Sequence, residues 1–383
     1  MPSRKKPAAP PRSVGLLCDA MESFAPTWAA ANWDNVGLLV GNRNWPLTRL
    51  LLTIDLTQAV LREALRGRFD AILAYHPPIF RPTKSMIADP ASQEGLAAEA
   101  LAHRIAVYSP HTALDASDVG ANAALARLCG LRDLVPFSPA AAPAAEAKLV
   151  TFVPAAQVDS LAAALFAAGA GRIGDYQQCS YRVSGQGTFF GADETNPAVG
   201  KRGRLERVNE IRIEVVLPRA SLPEVVAALR SAHPYEEPAF DLYPLEPHPD
   251  RSLGQGRIGR FLKPIALGAL ARALAARTGA ANVAAVGDLR SRLRRAWVCV
   301  GSAGTLPLDA HDRPRGPTDV VITGEIRHHD ALTYQRCRVS AVALGHWSSE
   351  RPGLAPLAAM LKKRLPRVTI VLSRRDRDPY QKV

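Results

Sequence analysis

RLLLTIDLTQAVLREALRGRFDAILAY, residues 49–75, sets two apolar runs of strand length on either side of a helical segment. Arg49 to Asp55 reads as a strand, Thr57 to Arg66 as a helix that starts at a threonine cap, and Asp70 to Ala74 as a second strand. Ile105 to Ser109 follows as a third strand after a helix near Ser92 to His103. This βαβ alternation predicts a sheet with helices on its faces. From Gly256 onward the pattern returns, with apolar strands at Ala296 to Val300, Asp319 to Thr323, Val339 to Leu344 and Val368 to Leu372 and helical segments between them.

Between these blocks the order of elements changes. Ser138 to Ala147 is an alanine–proline stretch that reads as a linker, and PHPDRSL, residues 247–253, reads as another. Residues 148–246 give strand (Lys148 to Val153), helix (Val158 to Ala168), a short strand near Gly187 to Phe190, strand (Glu210 to Pro218), helix (Leu222 to Ala232) and strand (Ala239 to Leu245). A β-α-β-β-α-β order is the split βαβ, ferredoxin-like arrangement. The expected fold is therefore α/β, with mixed sheets flanked by helices in a discontinuous main domain, residues 13–137 and 254–373, and an inserted α+β ferredoxin-like domain, residues 148–246. Residues 1–12 read as a basic flexible tail and 374–383 as a C-terminal tail. A chain of 383 residues fits such a two-domain plan.

The net charge of +13 suggests an acidic partner until its distribution is read. Residues 1–12 carry +4 and residues 362–383 carry +6, which leaves +3 for everything between. Nucleic-acid binding thus rests on the two ends alone and is disfavoured, although it stays open. Cys18, Cys129, Cys179, Cys299 and Cys337 are scattered, odd in number and free of any C-x-x-C pair, the pattern of a reducing cytoplasm. No run approaches the ~18 apolar residues of a membrane span.

The chemistry-bearing residues gather just past strands, where open α/β sheets place their sites. YHPPIF (75–80) puts His76 directly after an apolar run, and two prolines stiffen the turn beyond it. SPHTALD (109–115) offers His111 and Asp115, an imidazole and a carboxylate that suit a divalent first-row metal; Asp115 could also cap the following helix. GHWSSE (345–350) places His346 at a strand end and Glu350 in the first helical turn, where both can converge on one point. TGEIRHHD (323–330) contains Glu325, His328, His329 and Asp330; adjacent helix positions point about 100° apart, so His329 is the pocket candidate and His328 a surface residue. GSAGT (301–305) could present backbone N–H groups to an anion or be a plain tight turn. In NWDNVGLLVG (32–41), Trp33, Asp34 and Asn35 could line a pocket wall, but a structural turn is the favoured reading.

Taken together, NWDNVGLLVG, YHPPIF, SPHTALDA, ITGEIRHHDAL and GHWSSERPG, in that order, resemble the Ngg-interacting-factor-three-like family, known in bacteria as dinuclear metal centre hexameric proteins or GTP cyclohydrolase I type II homologues. The middle segment resembles the insert of the long bacterial form, which is similar to small trimeric signalling-protein folds, through GAGRIGDYQQCS, GTFF, TNPAVGKRGRLE and HPYEEPAFDLYPLE. The resemblance implies one or two divalent ions per chain, with zinc, iron, manganese and nickel not distinguished, held by His76, Asp115, His346 and Glu350. It also implies a homohexamer. In the family a second histidine precedes His76; here that position is Tyr75, which leaves one of the two metals a ligand short unless the phenol ionises. Tyr75, His111 and His329 are then expected beside the ligands, with Glu350 or His111 as the group that moves a proton.

Function stays open between two main readings. One is a metal-dependent hydrolase that activates water, by GTP cyclohydrolase-type ring opening of a purine nucleotide or hydrolysis of a related small molecule. The other is a non-catalytic metal-binding regulatory or scaffold oligomer whose inserted domain binds a ligand or partner. HPYEEP, with Tyr235, Glu236 and Glu237, is compatible with either, and a solvated turn is its favoured reading.

Overall fold

The computed structural model describes residues 12–381 apart from 88, 141, 143 and 247–251. Nearly all of the expected N-terminal tail and most of the second linker lie outside the described residues. Two compact units divide the chain at residues 140/141 and 249/250.

The discontinuous unit carries two mixed sheets. In the first, the order is Gly37–Val40, Ala106–Ser109, Ala71–Ala74, Arg49–Thr53, Thr369–Leu372, parallel throughout except for the antiparallel edge at Gly37–Val40. In the second, Ser340–Ala343, Asp319–Thr323 and Arg292–Cys299 run parallel in the middle, flanked by Ala284–Val286 on one side and Arg257–Ala266 and Leu131–Val135 on the other, all antiparallel. Side chains alternate along the central parallel strands, and both of their faces are covered. Leu50 and Leu52 join the core shared with Val298, Ile322 and Val342 of the second sheet, whereas Leu51 packs with Val60 and Leu96 on the opposite face. Burial on both sides explains why these strands are continuous apolar runs in sequence. Each such leucine contributes roughly 1.5–3 kcal/mol.

The helix Gln58–Arg66 begins where the sequence places it: Thr57 accepts from the Val60 N–H at 3.3 Å and satisfies one of the donors that a helix start leaves open. The C-terminal segment differs from the expected tail. Asp376 is buried, pairs with Arg351 Nε at 2.8 Å and accepts from Trp347 Nε1 at 2.9 Å and the Ile54 N–H at 3.3 Å. A count of basic residues hides this one acid, whose partners tie residues 373–378 down.

The other unit is a four-stranded antiparallel sheet, ordered Phe240–Leu245, Glu146–Pro154, Leu205–Pro218, Tyr181–Phe190, with helices Val158–Ala167 and Leu222–Ala232. The helices supply Leu161, Leu165, Val225 and Leu229 to a core with Leu149, Ile213 and Val215 of the sheet. Its element order is the β-α-β-β-α-β read from the sequence. The strand expected near Gly187 to Phe190 extends back to Tyr181 and lies at the sheet's edge, mostly exposed, so it shows no apolar run. Among the described residues no helix is long and apolar enough to cross a membrane.

Candidate metal centre

Parallel strands of both sheets deliver their carboxyl ends to one place. From the first sheet, Asp55 follows Arg49–Thr53, Tyr75 and His76 follow Ala71–Ala74, and His111 follows Ala106–Ser109. From the second, Gly301 follows Arg292–Cys299, Glu325 follows Asp319–Thr323, and His346 follows Ser340–Ala343. Glu350 lies one turn beyond His346 on the helix His346–Glu350, so both side chains share a face.

His76 Nε2 is 3.2 Å from Glu350 Oε2, and His346 Nε2 is 3.2 Å from Glu350 Oε1. The ligand atoms of these three residues lie within 4.8 Å of one another, a group that could hold a metal ion. Each imidazole is held from behind by a carboxylate, Asp55 at 2.9 Å from His76 Nδ1 and Glu325 at 3.4 Å from His346 Nδ1. A carboxylate on Nδ1 keeps the proton there and turns the Nε2 lone pair toward a metal. Glu350 Oε2 is buried with no donor aligned to it, despite the nearby His76 ring. In the metal-free protein the charge of Glu350 is met by the two imidazoles at 3.2 Å, and a divalent cation bound between the three side chains would take over that role as the rings lose their protons. Two nitrogens and a carboxylate suit a divalent first-row ion.

The electrostatics follow from this crowding. Burial disfavours the charged form of His76, but the Asp55 and Glu350 carboxylates prevail and raise its pKa to about 10. His346 rises to about 9 through Glu350, against burial. Burial pushes Glu350 up, yet the two imidazoles beside it win and bring it down to about 2.

A third histidine–carboxylate pair borders the group. Asp34 Oδ1 is 2.8 Å from His111 Nδ1, and its other oxygen accepts from the Thr112 N–H at 3.0 Å and from the Thr112 hydroxyl. His111 sits at φ +23°, a conformation non-glycine residues rarely adopt, and these bonds hold it there. Burial opposes ionisation of Asp34, but His111 and Thr112 outweigh it and hold the carboxyl below its usual range. The His111 ring lies 5.3 Å from that of His76.

Not every expected residue joins the group. Asp115 is not part of the His76–His346–Glu350 group; its Oδ1 accepts from the buried Tyr75 hydroxyl. Nor does it cap the following helix, Ala121–Leu128, whose N-cap is Gly120; Asp115 lies within the helix His111–Ala116. Burial, then the Asp115 and Glu350 charges, push the Tyr75 pKa well above 10, so the phenol keeps its proton and serves as a donor. Burial raises Asp115 to about 6, against the Tyr75 hydrogen bond. Tyr75 thus stands where the resemblance implies a histidine, and Asp115, implied as a ligand, accepts from its hydroxyl. His329 is exposed, and its ring contact is with the neighbouring His328, because this first turn of the helix His328–Arg336 faces solvent. The GSAGT turn spends N–H groups internally, Gly301 on Ser349 Oγ at 2.9 Å and Ala303 on Thr323 Oγ1 at 3.4 Å, which argues against the anion-binding reading.

The sequence pattern marks neither Asp55 nor the pairing of Asp34 with His111, although a carboxylate just past a strand is the available signal for Asp55. Asp55→Asn is expected to weaken metal affinity about 10–100-fold by loosening the His76 ring. Competition with a chromophoric chelator measures this, and unchanged affinity would show that Asp55 does not orient His76.

The fold and the group together define an α/β protein whose two-sheet unit carries a His–His–Glu cluster, with Glu350 buried and the histidines half-buried, able to hold a metal ion. The chain belongs to the Duf34/NIF3 (NGG1p interacting factor 3) family, whose model matches residues 13–379. It is 37% identical over 314 residues to a Halalkalibacterium halodurans protein named GTP cyclohydrolase 1 type 2 homolog, covering 81% of this chain and 83% of that one. To the Bacillus subtilis protein of the same name it is 33% identical over 368 residues, covering 95% and 97%. Among solved structures, a Bacillus cereus protein related to NIF3 matches with a TM-score of 0.65 at 29% identity, over 98% of this chain and 100% of the other. A Staphylococcus aureus protein, SA1388, shares the fold with a TM-score of 0.76 at 23% identity over 98% of this chain and 100% of the other.

Proposed function

We propose that the protein is a metal-dependent hydrolase acting on a nucleotide or a related small molecule. The observation that carries this reading is the buried Glu350 Oε2, without an aligned donor, facing imidazoles that are oriented from behind. His76, His346 and Glu350 would hold a divalent ion, which supplies a lowered pKa for bound water and polarisation of a substrate oxygen. Asp55 and Glu325 fix the ring planes. His111, fixed through Nδ1 by Asp34, has no hydrogen bond at Nε2 among the described residues and is the group that accepts or returns a proton there. The buried Tyr75, bonded to Asp115, packs against the His76 and His111 rings. Relatives named GTP cyclohydrolase 1 type 2 homolog direct the substrate search to purine nucleotides, with ring opening as the first reaction to assay.

The test is turnover of a nucleotide panel by metal-loaded full-length protein, before and after chelation. Metal-dependent hydrolysis that disappears in His76→Ala is expected. A fully loaded protein that turns over nothing would favour the regulatory reading instead. That second reading has its own support in the inserted unit, where a cavity of about 560 Å³ is lined by Phe152, Phe189, Val208 and Tyr235. There Tyr235 donates to Glu210 at 2.8 Å, while Glu236, which accepts from the Asn196 N–H at 2.9 Å, and Glu237 are exposed, as the solvated-turn reading expects.

Metal uptake should release protons. With His76 and His346 raised to about 10 and 9, both rings are cationic near pH 7 and must deprotonate to ligate. Affinity is therefore expected to tighten as pH rises from 6 to about 9, with close to two protons released per ion near neutrality. Calorimetry in two buffers of different ionisation enthalpy reads that number. A buffer-independent enthalpy would contradict the assignment of both imidazoles as ligands.

A further inference from the structure

The geometry points to a ring-stacking subsite at the mouth of the metal centre, formed by Trp33 and Phe80, that takes a planar heteroaromatic ring bearing an anionic group. Trp33 is 63% exposed and Phe80 45%, and neither belongs to a core cluster. Their ring centroids lie 5.9 Å apart at 58°. Single exposed apolar residues are ordinary; two large aromatics set against each other beside a buried polar group are not.

The pair is continuous with the site. Trp33 meets the His111 ring at 6.0 Å and 72°, His111 meets His76 at 5.3 Å, and His76 meets His346 at 5.4 Å. A run of rings thus leads from the rim to the residues that could hold metal. The pair is also held in place. Asp34, next to Trp33, bonds His111 and Thr112, and its own N–H donates to the Ala31 carbonyl at 2.9 Å. Asn35 Nδ2 donates to the carbonyl of Ile79, the residue before Phe80. The turn formed by Trp33, Asp34 and Asn35 therefore locks two aromatic side chains side by side while leaving them in water. A preorganised aromatic surface binds a planar ring with little ordering cost.

Charge selects the rest of the ligand. Arg81 and Lys84 follow Phe80 on the same loop, are exposed, and form no ion pair among the described residues. They complement a phosphate carried by the stacked ring's sugar or substituent. The occupant is the compound processed at the metal centre, so the inference rests on the hydrolase reading.

The test is equilibrium binding of GMP, guanosine and ribose 5-phosphate to the metal-loaded full chain, with metal content measured in every sample. GMP is expected to bind the unaltered protein, to bind Trp33→Ala about tenfold or more weakly, and to recover most of its affinity in Trp33→Phe. Ribose 5-phosphate affinity should not change in Trp33→Ala but should fall, with that of GMP, in the Arg81→Ala/Lys84→Ala double variant. Metal content should stay the same in all of them. Failure of GMP to bind, an unchanged GMP affinity in Trp33→Ala, or an equal loss for ribose 5-phosphate would overturn the subsite. So would a change in sedimentation mass in Trp33→Ala, which would show that a second copy covers the pair. The hydrolase reading fails separately, through absence of metal uptake or of turnover by the fully loaded protein; Trp33-dependent GMP binding in either case would leave the stacking subsite standing alone.

Discussion

Glu350→Gln is expected to abolish stoichiometric metal uptake while the protein stays folded. Glutamine matches the buried side chain in volume but removes the charge that faces both imidazoles at 3.2 Å. The loss should exceed the about 10–100-fold typical of groups that merely support a ligand. The stability change has a definite pH signature. A carboxyl whose pKa falls from 4.5 to about 2 contributes stability that is complete above pH 4.5 and lost as pH drops through 2. Histidines raised from 6.5 to about 10 and 9 contribute stability that is complete below pH 6.5 and lost as pH rises through those values. The metal-free protein therefore draws most from this cluster between pH 4.5 and 6.5. Glu350→Gln should lower its stability most near pH 5.5, by up to about 3–5 kcal/mol for a broken buried pair, and least near pH 9. Denaturant titrations at the two pH values check the difference. An equal loss at both would show that the charges of His76 and His346 do not depend on Glu350.

The second large effect belongs to a residue with no side chain. At Gly301, a Cβ would lie 2.7 Å from Glu350 Oε1 and 3.3 Å from His346 Nε2, and φ is +65°. The backbone there cannot retreat easily, because its N–H donates to Ser349 Oγ and its carbonyl accepts from the Glu325 N–H at 2.8 Å. Gly301→Ala should cost about 1–2 kcal/mol through the left-handed conformation alone and also displace the metal-holding atoms, so that bound metal falls sharply. Gly304→Ala is the matched control. Its φ is +53°, but the nearest atom to a Cβ is Asp330 Oδ2 at 3.9 Å. It should lose similar stability and keep its metal. Metal analysis of both variants separates crowding from backbone strain, and equal metal content would contradict the position assigned to Gly301.

Much of this arrangement was legible in the chain. Runs buried on both faces, such as Leu50 to Thr53 and Ala71 to Ala74, declare themselves without reference to anything distant. Strand ends then mark where His76, His111 and His346 must lie. What stayed hidden depends on partners brought together by the fold. Asp55 becomes informative only once the neighbouring parallel strand puts His76 beside it, and Asp34 only once His111, 77 residues away, turns toward it. The Tyr75–Asp115 bond spans 40 residues and alters what the missing histidine means. Short edge strands such as Gly37–Val40 and Ala284–Val286 have too few residues to show a pattern of their own. His329 was favoured by its neighbours in sequence, and exposure of the first turn of its helix removed it from the site.

The most direct test of the central claim is an anomalous-scattering map from crystals of the full-length protein loaded with one divalent metal, collected on both sides of that metal's absorption edge. A peak bounded by His76 Nε2, His346 Nε2 and the Glu350 carboxylate, lost in crystals of Glu350→Gln, is the predicted result. A metal-loaded protein whose peak lies away from these three residues, or persists unchanged in Glu350→Gln, would contradict it.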